Sequence, residues 1–239
     1  MRLRTLLAAT SVVLGTATAL AGIATPAAAG TTHVMANWEM NEPPGAHSMI
    51  DYSGNGLTGR IGREVGLDTR VGDGTGYRFA KLTPDTPPTH PQHVVTVADS
   101  NLLDPGNRDY TVMLRLRTTY HFGNVVQKGQ ATVPGGNWKI QIPNGVVQCL
   151  FRGSAGQVIV SSPRRYNDGR WHTIACERQE SDIVLRVDGD TVARHAGRTG
   201  RIDNDWPLSI GGKTDCDQEE VGCDYFAGDL DWVEIDADE

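Results

Sequence analysis

What most constrains this chain is a two-residue hydrophobic period that recurs along it, with no helical period longer than two turns. Within Tyr110–Thr118, Val112, Leu114 and Leu116 alternate with Met113, Arg115 and Arg117, the pattern of a strand with one buried face. Similar alternating or β-branched runs occur at 33–40, 77–81, 93–98, 124–128, 138–142, 146–151, 157–161, 171–178, 182–187, 191–195, 208–211 and 225–236. Asn144-Gly145, Asp168-Gly169 and Asp188-Gly189 separate several of them, and such dipeptides tolerate the positive φ of tight hairpins. Strands in this number without helices predict an all-β sandwich or jelly roll. The Pro-rich stretch 83–92 lacks the amide donors a ladder needs and reads as a surface loop.

Arg2 and Arg4 precede an apolar run diluted by Ala, Thr and Gly, broken at Pro26 ahead of Ala27-Ala28-Ala29. A basic start, a short apolar stretch and an A-x-A site predict a secretory signal peptide over 1–29, cut before Gly30, and one domain over 30–239. Its removal leaves 20 basic residues against 29 acidic, a net charge of −9. That balance excludes nucleic acid as the main partner, because a phosphate-binding face needs clustered cations. A secreted, extracellular monomer without a membrane span is expected.

The four cysteines, Cys149, Cys176, Cys216 and Cys223, all follow the leader and contain no C-x-x-C. An even number in an oxidising compartment reads as two disulfides with three possible connectivities. Cys216 and Cys223 bracket one acidic loop, whereas Cys149 and Cys176 each lie inside a strand-like run. The expected pairs are therefore 149–176 and 216–223.

Trp38-Glu39-Met40-Asn41-Glu42 and Asp51-Tyr52-Ser53-Gly54-Asn55-Gly56-Leu57-Thr58-Gly59 open the chain. Later come Tyr110–Thr118, then Gly169-Arg170-Trp171-His172 followed by Asp182–Val187 and Asp188-Gly189, then a closing run from Phe226 to Ile235. In this order they resemble the bacterial laminin-G-like jelly rolls of the concanavalin A-like lectin/glucanase superfamily. The resemblance covers residues 34 to 236. It implies two stacked antiparallel sheets, with Ile183, Leu185 and Val187 inward, and it places Cys149 and Cys176 on neighbouring strands. Trp171, near a strand start, is expected in the core.

Asp229-Leu230-Asp231-Trp232-Val233-Glu234 is similar to the E-x-D-x-x-E strand of the superfamily's retaining glucanases, with an aspartate in place of the first glutamate. In a regular strand Asp229 and Asp231 share one face and Glu234 takes the other, unless a bulge intervenes. No catalytic residue is therefore assigned. The resemblance instead implies one structural Ca²⁺, with Asp231 as side-chain ligand and Asp51 as a weaker candidate. The alternative for Asp51 is to cap its own turn.

Sugar recognition wants an exposed aromatic plane beside planar polar groups. Tyr120, His121, Trp138, Arg152, Arg164 and Tyr166 are the available set. The reading is a non-catalytic laminin-G-like, lectin-like domain that binds carbohydrate or another extracellular surface component. A glycoside hydrolase or lyase on the same fold and a protein-binding adhesion module are the alternatives.

Overall fold

Antiparallel pairing of these strands builds two facing sheets in the computed structural model, which describes residues 31–72, 74–83, 90–131, 133–215 and 223–238. In hydrogen-bonded order the first sheet contains β14 (Asp190–Ala196), β13 (Asp182–Val187), β12 (Trp171–Arg178), β7 (Tyr110–Arg117), β16 (Gly228–Asp238), β5 (Gly74–Phe79) and β4 (Gly66–Val71). β1 (Thr32–Trp38) pairs with the distal half of β16. The second sheet runs β11 (Gly156–Arg165), β10 (Val146–Gly153), β9 (Asn137–Gln141), β8 (Asn124–Lys128), β15 (Leu208–Ile210), β6 (Val95–Val97), β3 (Gly59–Ile61) and β2 (Ser48–Met49). Strands β2, β3 and β4 have no counterpart among the predicted runs. The first two are only two and three residues long, too short to show a period. The expected leader, and residues 84–89 of the Pro-rich stretch, lie outside the described residues.

Alternation converts directly into a core. Val112, Leu114 and Leu116 of β7 are fully buried, as are Ile183 and Leu185 of β13, and Val187 nearly so. They face Ile140 of β9 and Phe151 of β10 across the sandwich, in one cluster. Two tryptophans complete this layer, each donating its indole N–H to a carbonyl: Trp38 to Leu57 at 2.8 Å and Trp138 to Leu103 at 3.1 Å. Trp138 is thus a core residue, which corrects its assignment to a ligand surface. Trp171 is corrected in the opposite sense. It lies half-buried on the outer face of the first sheet, where the guanidiniums of Arg115 and Arg117 stand 5.2 and 4.8 Å from its ring centre.

Two expected turns adopt the twist-compatible geometry, with Asn144 and Asp188 at φ 54° and the following glycines at 81° and 88°. His172 of the Trp-His pair then joins two turns. Its Nδ1 lies 2.8 Å from Asp188 and its Nε2 3.1 Å from Asp168, so the one ring ties the two turns together. The Asp168 carboxyl is held well below the usual range, first by the Arg170 backbone N–H and then by His172.

Cys149 and Cys176 form a disulfide with a Cα–Cα distance of 5.8 Å. The pair is as expected, but the placement differs: β10 and β12 belong to opposite sheets, so the bridge crosses the core instead of joining neighbouring strands. The 216–223 pair involves Cys216, which lies outside the described residues. Closing a loop of 27 residues through the core constrains the unfolded chain by about 3.6 kcal/mol in the chain-entropy estimate. Replacing Cys149 and Cys176 together by serine should lower unfolding stability by about 3 kcal/mol in urea titrations. A loss under about 1 kcal/mol would mean that apolar packing alone holds the sheets in register.

Candidate functional site

The inward face of β8 carries Val126 opposite Ile140 and, two residues on, Lys128 opposite Trp138. Lys128 is therefore fully buried, and an ammonium taken out of water costs several kcal/mol unless protein groups replace its hydration. The chain supplies them. Lys128 Nζ donates to Asp99 at 2.7 Å, to the Asn204 carbonyl at 2.6 Å and to Asn204 Oδ1 at 3.2 Å, with Asp104 3.3 Å away. Burial raises the Asp104 carboxyl, and the Lys128 charge opposes that rise.

This buried cluster fixes the turn above it. Asn204 Nδ2 donates to the Gly136 carbonyl at 3.1 Å, and Asn204 Oδ1 accepts the Trp206 N–H at 3.0 Å. The Trp206 indole donates to Thr214 Oγ1 at 3.1 Å, which leaves the ring half-exposed and oriented. The facing wall is the β8–β9 loop, drawn so close that a Cβ on Gly135 would stand 1.9 Å from the Asp203 carbonyl oxygen. Arg152 clamps that loop by donating to the carbonyls of Gln130, Ala131 and Val133.

Between these walls opens a cleft of about 660 Å³ lined by Pro134, Trp206 and the carboxylates Asp203, Asp205 and Asp215. It shares Val133, Gly135 and Asp203 with an adjoining cleft of about 480 Å³ that includes Arg152 and Arg201, the latter ion-paired to Asp203. An indole face beside several acceptors suits a ring with one apolar face and a rim of hydroxyls. Of the expected ligand residues only Arg152 lies here, as a positioning residue. Trp206 and Lys128 were not among them. The signal for Trp206 is the turn-forming run Asp203-Asn-Asp-Trp-Pro207, which presents an aromatic on a short loop.

The remaining expected residues gather at the opposite end of the sandwich. Tyr120 and His121 sit exposed on the β7–β8 loop, whose His121 carbonyl accepts the Gly145 N–H. Tyr166 is buried edge-on against His172, with the Arg164 guanidinium 4.8 Å from its ring centre. Beside Tyr120 lies a cavity of about 400 Å³ that also includes Arg78, Lys81, Arg117 and Asp229.

The closing strand carries the other candidates. A bulge at Asp231 shifts the register of β16 against β7 between Leu230 and Trp232. Leu230 and Val233 both enter the core, so Asp229 and Glu234 share the outer face, and the regular-strand expectation that separates them is overturned. Asp229 accepts from Arg78 at 2.8 Å and from Arg117 at 2.7 Å. Burial pushes its carboxyl up, but the two guanidiniums outweigh this and hold it below the usual range.

The two carboxylates expected to hold calcium have no partner in common. Asp51 Oδ1 accepts the Asn37 and Ser53 N–H groups, and its Oδ2 accepts Ser53 Oγ and the Leu57 N–H. Asp231 is paired with Arg115 at 2.7 Å. A site for Ca²⁺ needs six to eight oxygens facing one point, and these carboxylates face donors instead. Among the described residues no three His, Cys, Asp or Glu side chains form a metal-holding group. The residues do not fit the ion, and Asp51 acts as the cap of its Ser-Gly-Asn-Gly turn.

Residues 116–238 match the family model described as Laminin G domain. No curated protein sequence is significantly similar to the chain. Among solved structures, the binding domain of Paraclostridial mosquitocidal protein 1 is similar at 12% identity and a TM-score of 0.59 over 86% of this chain and 48% of that one. The botulinum neurotoxin serotype D binding domain matches at 13% identity and 0.56, over 85% and 46%. The chain thus spans about half the length of these two. Domain 4 of the GH43 extracellular arabinanase of Geobacillus stearothermophilus, in complex with arabinotriose, matches at 13% identity and 0.58 over 87% of this chain and 93% of that one.

Asp51→Ala should cost about 2 kcal/mol of stability, and chelator should leave that loss unchanged in thermal melts. Dependence of the loss on calcium would overturn the capping role. Asp236, also on β16, is raised to about 6 by burial and then by the charges of Glu234 and Asp238. A carboxyl raised on folding contributes stability below its unfolded pKa and loses it as pH rises through the folded value. Asp236→Asn should therefore raise Tm at pH 7.5, and the gain should vanish near pH 4.

Proposed function

The chain belongs to the laminin G domain family, and from that premise we propose that it is an exported, non-catalytic module that binds carbohydrate in the Trp206 cleft. Two of its structural neighbours are binding domains, and a third is a domain of an extracellular arabinanase in complex with arabinotriose. Export is supported by the basic-apolar-AxA start and by a disulfide inside the core, since oxidised cystines persist outside the reducing cytosol. The observation that carries the reading is the cleft itself. A half-exposed indole, its backbone held by Asn204 and its ring N–H by Thr214, lines a cleft of about 660 Å³ together with Asp203, Asp205 and Asp215. A pyranose or furanose laid on that ring would bury its C–H face and direct hydroxyls to Asp203 and Asp205.

The carboxylates also set a preference. Uronate or sulfate groups brought beside Asp203, Asp205 and Asp215 would meet like charge, so the cleft favours uncharged polysaccharides. Affinity electrophoresis against soluble uncharged polysaccharides should show retardation that Trp206→Ala weakens by at least about tenfold, the scale of losing one aromatic stacking partner. Arg152→Ala should weaken binding less, because it loosens one wall without removing a contact. Retardation unaffected by Trp206→Ala, or no retardation by any polysaccharide, would sink this assignment.

A further inference from the structure

The end of the sandwich opposite the Trp206 cleft has a different chemistry. The β7–β8 loop carries Tyr120 and Phe122 at 43% and 48% exposure, two of the few large hydrophobic side chains that face solvent. The backbone of the loop that carries these rings is held at both sides. Tyr120 N–H donates to Thr118 Oγ1, which itself donates to the Ala227 carbonyl at 2.6 Å. At the far side of the loop, Gly123 has φ 141° and presses so close that a Cβ there would meet Phe226 Cα at 2.6 Å.

The cavity beside the loop is basic. Arg78, Lys81 and Arg117 line it against a single carboxylate, Asp229, in a chain whose net charge is −7. Asp229 is only 9% exposed and lies beneath, accepting from both arginines, while the Arg78 side chain remains 57% exposed. The guanidiniums are thus pre-organised by a buried counter-charge with donor capacity left over, the arrangement that suits phosphate. Phe122 has no hydrogen-bonding atom, so a hydrophilic polyanion gains nothing from it. A bilayer gains from both features, because aromatic rings partition into the interface and cations meet anionic headgroups.

We propose that this end of the molecule docks on an anionic phospholipid surface. Tyr120 and Phe122 enter the boundary between headgroups and acyl chains, and Arg78, Lys81 and Arg117 contact lipid phosphate. The contact is peripheral: among the described residues no helix is long and apolar enough to cross a membrane. This inference does not depend on the carbohydrate reading, since the two sites share no residue.

The test is co-sedimentation of the whole chain with vesicles of equimolar phosphatidylglycerol and phosphatidylcholine, against vesicles of phosphatidylcholine alone. Binding is expected only to the mixed vesicles, and it should fall with added salt. Tyr120→Ser with Phe122→Ser should reduce it at least about tenfold at unchanged Tm, because both rings are exposed in the free protein. Lys81→Gln should reduce binding and flatten its salt dependence, while Trp206→Ala should leave it intact. The proposal is overturned if the mixed vesicles do not retain the chain, or if the paired serine variant binds them as well as the parent. Retention on dextran sulfate without retention on vesicles would also overturn it, and would assign this end to a soluble polyanion.

Discussion

The ammonium of Lys128 occupies a place where a sandwich ordinarily puts a methyl group, on the inward face of β8 opposite Trp138. A charge there has to be solvated by the protein, and its ligands come from two separate stretches, Asp99 and Asp104 between β6 and β7 and Asn204 between β14 and β15. Asp104 directly follows the 3-10 turn at Asn101–Leu103, whose Leu103 carbonyl accepts both the Trp138 indole and the Tyr110 hydroxyl. One charge therefore connects the core aromatics to the turn that carries Trp206. Removing one member of such a buried cluster leaves the others without compensation, which costs more than the pair contributes. What such an arrangement gives is specificity of loop position, and here the loop so positioned borders the Trp206 cleft.

The bulge in β16 has an equivalent role at the other end. Without the extra residue at Asp231, the acidic residues of the closing strand would split between core and solvent, and a carboxylate would enter the apolar layer. With it, Asp229 reaches the same outer face as Arg117 of β7 and Arg78 of β5, and it binds both. The same face carries Trp171 under Arg115 and Arg117. Cation, ring and carboxylate are thus interleaved across strands that are far apart in sequence. A side chain that resembles a catalytic aspartate in a one-dimensional motif is, in three dimensions, the counter-ion of two arginines.

These particulars show what can be read from the chain alone. Alternation in β7, β12 and β13 and the Asn-Gly and Asp-Gly turns specify strands, faces and sandwich, because burial on one side of a pleat leaves a period of two. The same parity places Ile174 and Cys176 inward, and hence Trp171 outward, so the position of Trp171 was available in the pattern. General preference for buried tryptophan obscured it. Parity likewise puts Lys128 beside Val126 on the inner face of β8, a placement that charge makes easy to discount. The bulge was not available, since it arises from how β16 pairs with β7 and from nothing within either strand. The cleft was not available either. It is assembled from loops that meet only after the sheets close, with residues near 135, 152, 204 and 215 brought together.

Loops of an antiparallel sandwich alternate between its two ends, and that alternation separates the two surfaces. Loops 118–123, 142–145 and 166–170 are joined by backbone hydrogen bonds at one end, as in Gly145 to His121 and Tyr166 to Gly145. The other end is joined by Asp203 to Gly135 and Ser154 to Arg201. Strands of eight residues, such as β7 and β12, span roughly 26 Å, so the basic aromatic tip and the acidic Trp206 cleft lie well beyond a Debye length from one another. Their charges therefore neither neutralise nor compete, although one is cationic and the other anionic. The disulfide between β10 and β12 and the shared core make the body between them stiff, so the two ends are separated by packed structure. Substitutions at the two ends should add as independent terms, which follows from distance and rigidity alone.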